Sequence, residues 1–268
     1  MTTGRGTAPI TEFIPLVDTG DGALCCTVAP HLARPDGGLY GGSAAALAVT
    51  AAERATGRRC LSLGIRYLAP AALGDEIRVV VTNLSAGRSV SQVEVKGTHG
   101  DRLIFAATAA AAVEGSHDDD AQLVPFPDAP APSTCRTYRE TDLASAGNMW
   151  RSLAVRVAHH DGVDVSAQPL RLWARINGVA ATPATMAYVS DWVSEGFWQG
   201  VHRAGMGVTI DGSITVAQPD PTEWILMEIL PQSSWAGYCA GQVLMWSENG
   251  VFLGTATQTV KLRRLSTT

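Results

Sequence analysis

The chain has 268 residues, of which 46% are apolar and 17% charged, and a net charge of −5. That composition is too apolar for a disordered protein and too acidic for one whose main partner is a nucleic-acid backbone. The length suits one large domain or two small ones. No apolar run approaches the roughly 18–20 residues that cross a bilayer. Residues 1–9 lack the basic-then-apolar order of a signal peptide. The expectation is a soluble, cytoplasmic protein with no membrane partner and no nucleic acid.

In chain order, a glycine-rich stretch at 37–42 leads into helix formers at 43–55, dominated by alanine and stopping near Gly57. Such small side chains let a sheet enclose a helix closely. Four short, β-branched or alternating runs follow, at 61–68, 76–84, 90–97 and 103–113. They are split by the turn signals Gly74-Asp75, Gly87 and Gly100-Asp101. One helix and four hairpin-linked strands predict an antiparallel sheet wrapped on a single helix.

Residues 114–134 break the pattern with Asp118, Asp119 and Asp120 and with Pro125, Pro127, Pro130 and Pro132. Prolines at that spacing cannot sit inside a strand or helix, so this stretch reads as an exposed, solvated connector. The earlier order then recurs. Strands are expected at 153–158 and 170–176. Thr182-Pro183 starts a helix running to about Gln199, with threonine as cap and proline in the first turn. Strands at 208–216, 224–230, 241–247 and 252–262 complete it, with Asn249-Gly250 as a hairpin turn.

The five cysteines, Cys25, Cys26, Cys60, Cys135 and Cys239, form no C-x-x-C and read as small buried hydrophobes rather than disulfides or a zinc site. The six histidines lack ligand spacing, and His159-His160-Asp161 reads as a polar turn. Neither a metal nor a cofactor is expected.

The two halves align as a repeat. An offset of 149 lays the run Tyr67 to Pro70 on the run Val216 to Pro219, and Phe105 to Thr108 on Gly254 to Thr257. At the helices the offset is 140, laying Leu47 to Ala51 on Ala187 to Asp191. The differences are informative: Asp191 faces Ala51, Thr209 faces Cys60, and Gln258 faces Ala109. A duplicated scaffold that keeps one working site would differ in this way. All seven tryptophans also lie in the second half, most of them expected in its core.

Three patterns carry a family resemblance: Tyr40-Gly41-Gly42 opening the first helix, Ala187-Tyr188-Val189-Ser190-Asp191, and Thr209-Ile210-Asp211-Gly212-Ser213 followed later by Ala256-Thr257-Gln258. Over residues 13 to 264 the chain resembles the acyl-CoA thioesterase II family, the double-hotdog thioesterases. It departs from that family where Gly212 replaces a histidine and where Gln218 stands in a position often held by arginine.

The resemblance implies an α+β double hotdog, two helix-wrapped antiparallel sheets joined edge to edge. Its parts are an N-terminal repeat at 13–113, the connector at 114–134, and a C-terminal repeat at 135–264 with the catalytic residues. It implies hydrolysis of acyl-CoA or another acyl thioester, and assembly as a homodimer or larger. Asp191, Thr209 and Gln258 form the implied catalytic set, without metal or cofactor.

The chemistry suits these residue types. A thioester is already activated, so hydrolysis needs a positioned water and a polarised carbonyl. Asp191 would accept the water's proton, while Thr209 and Gln258 hydrogen-bond the water. N–H groups at the helix start, Gly41 and Gly42, would bind the carbonyl oxygen of the substrate. On a continuous helix Asp191 shares a face with Tyr188, Glu195 and Trp198, while Val189, Val193 and Phe197 face the sheet. Ser213 has no G-x-S-x-G elbow around it, which argues against a serine hydrolase. Alternatives on the same scaffold are a dehydratase or hydratase, and a non-hydrolytic acyl-thioester-binding accessory protein.

Overall fold

A computed structural model describes residues 8–113, 115, 121–138, 147–160, 162, 164, 168–203 and 205–264. In the first half, the short helix α1 (Ile10–Phe13) and strands β1 (Val17–Asp18) and β2 (Leu24–Thr27) precede α2 (Gly41–Thr56). Strands β3 (Arg59–Tyr67), β4 (Glu76–Ala86), β5 (Val90–His99) and β6 (Arg102–Ala112) follow. The second half runs β7 (Leu153–Val157), β8 (Leu170–Ile176), α3 (Pro183–Val189), α4 (Val193–Gly200), β9 (Gly205–Val216), β10 (Ile225–Trp235), β11 (Tyr238–Ser247) and β12 (Phe252–Arg264). Among the described residues no helix is long and apolar enough to cross a membrane.

All twelve strands join one sheet in the order β1-β2-β4-β5-β6-β3-β9-β12-β11-β10-β8-β7. Read outward from the centre, the halves match strand for strand. The central antiparallel pair β3–β9 sets Ser62 opposite Thr215, Gly64 opposite Ser213 and Arg66 opposite Asp211. Gly64 and Ser213 are 149 apart, and so are Ser62 and Asp211, and Arg66 and Thr215. The register of the joint thus reproduces the sequence offset about an approximate two-fold axis. Joining β3 to β9 removes one free edge from each half-sheet. An ion pair of Arg66 with Asp211 at 3.1 Å crosses the joint.

Helix α2 owes its depth to its composition. Every residue from Gly42 to Ala52 is buried, which eleven positions of a helix can achieve only with small side chains and partners on all sides. Gly57 ends it with a left-handed φ of 63°, its N–H donating to the Glu53 carbonyl at 2.8 Å.

The described part of the connector is mostly exposed, as expected, but part of it packs on the second half. The second half-sheet has two apolar faces. Leu172, Met227 and Met245 share one face and enter the main core. On the opposite face the row Trp173, Leu226, Trp246 and Phe252 builds a second cluster. The connector lies over it. Phe126 packs against Trp173 and Trp246, with ring centroids 6.4 Å away in each case. The Trp173 indole N–H donates to the Pro130 carbonyl at 2.9 Å. Prolines keep this segment out of the sheet and, apart from the short 3-10 turn Pro132–Thr134, out of helix, but do not prevent local contacts. An extended proline-rich chain has carbonyls free to accept, and its apolar side chains cover the tryptophans. The acidic run at 118–120 lies outside the described residues.

Candidate active site

The site forms where the second helix fails to continue. The expected helix at 182–199 is two helices, α3 and α4, separated by Ser190, Asp191 and Trp192. Thr182 caps α3 as expected, its hydroxyl accepting from the Thr185 N–H at 3.2 Å. The break has an identifiable partner. The Val193 N–H, which a continuous helix would pair with a carbonyl one turn back, donates instead to Gln258 Oε1 at 3.0 Å. Asp191 therefore lies between helices rather than on one, though it and Glu195 still border the same space between the halves. Val193 does face the sheet, since a Cβ at Gly241 of β11 would lie 2.6 Å from it.

A β-bulge brings Thr209 in. Thr259 pairs with Asp211 but Val260 pairs with Thr209, leaving Ile210 as an extra residue in β9. Strict alternation would put Thr209 on the same face as Asp211 and Ser213, away from the helices. The bulge reverses this, so Thr209 shares the inner face with Gly212 and Gln258. The first half has the same device at Leu61, where Cys60 pairs with Ala111 and Ser62 with Ala110.

Three donors converge on the Asp191 carboxylate. Oδ1 accepts from the Thr209 hydroxyl at 2.9 Å and from Gln258 Nε2 at 2.5 Å. Oδ2 accepts from the Gly42 N–H at 3.0 Å. Gln258 thus uses both ends of its amide, one to cap α4 and one to hold the carboxylate. Gly41 and Gly42 admit this approach: an added Cβ would lie 2.4 Å from Asp191 Oδ2 at position 41, and 2.2 Å from the Tyr188 carbonyl at position 42. Tyrosines fix the junction, Tyr67 donating to the Gly41 carbonyl at 3.1 Å and Tyr40 to the Asp191 carbonyl at 3.4 Å.

Burial raises the Asp191 carboxyl to about 6, against the opposing effects of the Thr209, Gln258 and Gly42 hydrogen bonds and the Arg34 charge. A base must be ionised to accept a proton, so activity that depends on it is lost as pH falls through that value. We expect kcat/KM to drop about tenfold per pH unit below about 6 and to level off above. A pH–rate profile with no step between pH 5 and 7 would contradict Asp191 as the base.

Asp191 and Thr209 open on a cavity of about 630 Å³ between the halves. Tyr40, Tyr67 and Ala71 line it from the first half, and Trp150, Trp192 and Met206 from the second. Sequence reading put most tryptophans in the core and gave Tyr40 and Tyr67 no lining role. Tyr40 and Trp192 directly adjoin Gly41 and Asp191, but nothing local marks them as lining. Glu195 also reaches the wall and accepts hydrogen bonds from Tyr138 and Gln199. At the matching place in the first half α2 runs unbroken through Ala51, and Ala51, Cys60 and Ala109 are all buried. Only one half has a carboxylate at the aligned position and a break in its helix; in the other, the nearby Glu53 accepts from the Cys60 N–H at 2.9 Å.

Fold and site together define a double-hotdog protein with a carboxylate-centred site between its repeats. Residues 30–112 match the acyl-CoA thioesterase N-terminal domain, and residues 118–262 match the acyl-CoA thioesterase C-terminal domain. The chain belongs to the acyl-CoA thioesterase family and is a thioester hydrolase.

Solved structures agree on the fold. A protein from Novosphingobium aromaticivorans assigned as a thioesterase is 27% identical, over 92% of this chain and 98% of its own, with a TM-score of 0.84. A hot dog protein from Alicyclobacillus acidocaldarius is 20% identical, over 94% and 96%, with a TM-score of 0.79. An acyl-CoA thioesterase II from Mycobacterium marinum is 17% identical, over 96% and 99%, with a TM-score of 0.74. No curated protein sequence matches the chain.

Proposed function

We propose that the protein hydrolyses acyl-CoA by direct attack of water, with Asp191 as general base. The observation that carries this reading is the convergence of Thr209, Gln258 and Gly42 on one carboxylate in the wall of a large cavity. The attacking water hydrogen-bonds to Asp191, to the free lone pairs of the Thr209 hydroxyl and to the second Nε2 hydrogen of Gln258. Its oxygen bonds to the thioester carbon as its proton passes to Asp191. The carbonyl oxygen takes the negative charge at the N-terminus of α2. Gly42 serves the carboxylate there, and Gly41 lines the cavity and polarises the substrate. The carbon–sulfur bond then breaks and the thiolate recovers the proton from Asp191, giving free acid and thiol.

The test is a panel of acyl-CoA substrates with detection of released thiol. Absence of thiol release across short, long, branched and aromatic acyl groups would refute the reading and favour a non-hydrolytic acyl-binding role. Glu195 has no chemical step here, since it is held by Tyr138 and Gln199 in the cavity wall. Glu195→Gln keeps the shape and is expected to change turnover by less than about tenfold. A larger loss in kcat would make Glu195 part of the chemistry.

A further inference from the structure

The outer face of the sheet carries a strip beside the cavity that this mechanism leaves unused. Trp235 lies opposite Tyr238, Tyr238 opposite Lys261, and Lys261 opposite Val208. Directly paired residues share a face, so these four side chains form one row across β10, β11, β12 and β9. Arg263 and Met206 form the next pair on that face. Met206, Val208 and Arg263 also line the cavity. The row therefore starts at the cavity and runs outward over three strand spacings, about 14 Å.

The strip is open and unusual in chemistry. Trp235 is 83% exposed and Tyr238 42%, and Lys261 and Arg263 are exposed. A tight turn with left-handed φ at both Ala236 (52°) and Gly237 (83°) holds Trp235 and Tyr238 side by side. The nearest acid on this face, Asp211, is already paired with Arg66. Lys261 is one of only two lysines in a chain of net charge −5. The repeat supplies an internal comparison: the matching row in the first half is Val90, Ala112 and Arg59, with Gly87 at its hairpin. The aromatics occur only in the half that holds Asp191, Thr209 and Gln258.

We propose that this strip binds the 3′-phosphorylated adenosine diphosphate end of CoA. It rests on the reading of the cavity as a thioester site. The adenine stacks on Trp235 and Tyr238, whose faces suit any base. Lys261 and Arg263 take the phosphates through charge-assisted hydrogen bonds. The pantetheine arm covers the roughly 10 Å of β9 from Thr209 to Met206 and meets the strip where it leaves the cavity.

The experiment compares one acyl group on CoA and on N-acetylcysteamine, which lacks the nucleotide. Trp235→Ala and Lys261→Glu are made on the full chain. For acyl-CoA, Lys261→Glu and Trp235→Ala should each raise KM several-fold or more with kcat unchanged. For the truncated thioester both variants should match the parent protein. In parallel, adenosine 3′,5′-bisphosphate should quench tryptophan fluorescence saturably in the parent and not in Trp235→Ala. Equal effects on both thioesters, no effect on either, or no saturable quenching would overturn the assignment. So would variants that impair only a carrier-protein thioester. The quenching arm needs no turnover, so it still decides the inference if no thioester is hydrolysed and the proposed chemistry fails.

Discussion

Asp191→Asn is expected to lower turnover by about 10²–10⁴ while acyl-thioester binding survives, the usual contribution of a positioned general base. The variant keeps size and keeps an oxygen to accept from Thr209 and Gln258. It replaces Oδ2 by an amide nitrogen, which would face the Gly42 N–H that now lies 3.0 Å away. Two donors in that place cannot bond, so Gly42 also loses its partner. None of the apolar cavity wall is touched, so KM should move little and the loss should fall on kcat. Residual hydrolysis should no longer step near the pH to which burial raises the native carboxyl, about 6. Thiol release at the rate of the parent protein would remove Asp191 from the mechanism, however well its contacts are formed.

The parts of this site legible in the sequence were those that depend on short-range pattern or on the repeat. The strand expected at 170–176 has those bounds as β8, because the flanking proline and glycine and the alternation of apolar residues with arginine act locally. The offset of 149 reappears in the β3–β9 register, since a duplicated fold must preserve spacing wherever strands pair. The same comparison singled out Asp191, Thr209 and Gln258, and Thr209 and Gln258 both hydrogen-bond Asp191.

What was not legible depends on distant partners. The break between α3 and α4 needs Gln258, 65 residues further on, to accept from the Val193 N–H. No local signal between Ala187 and Gln199 announces it, although the helical wheel drawn through it still puts Asp191 and Glu195 on one side, and both line the cavity. The bulge at Ile210 has the same character. Alternation alone sends Thr209 outward with Asp211, and only pairing with β12 shows the extra residue. A clue existed in the burial logic of the repeat: Cys60, Leu63 and Ile65 are apolar at a spacing that alternation cannot put on one face without a bulge. The connector is mostly exposed, as its prolines and charges imply, but its contacts with Trp173 and Trp246 had no local signal, because those tryptophans come from strands more than 40 residues away.

Substituting the two glycines at the start of α2 should separate support of the fold from support of the chemistry. Both lie in ordinary helical backbone, so space rather than conformation requires glycine, and alanine alone would favour the helix by up to about 1 kcal/mol. At Gly42 an added Cβ would lie 2.2 Å from the Tyr188 carbonyl and 2.5 Å from the Tyr40 ring. Tyr188 is fully buried and Tyr40 nearly so, and the carbonyl is main chain, so neither can turn aside. Gly42→Ala should therefore push α2 from α3 at an overpacking cost of about 3 kcal/mol or more. For a chain of this length that lowers Tm by about 6–12 °C. At Gly41 the obstacle is Asp191 Oδ2 at 2.4 Å, the free end of a side chain. Rotation of the carboxylate relieves that clash without moving main chain, but it breaks hydrogen bonds that aim it, a cost the helix-favouring alanine partly offsets. Gly41→Ala should melt within a few degrees of the parent protein and still lose about 10² or more in kcat/KM. Calorimetry and thiol release on the two variants decide the matter. If Gly41→Ala hydrolyses thioesters normally, the carboxylate does not need the position it occupies beside α2. If Gly42→Ala melts with the parent, the helices are not packed as closely as the 2.2 Å approach requires.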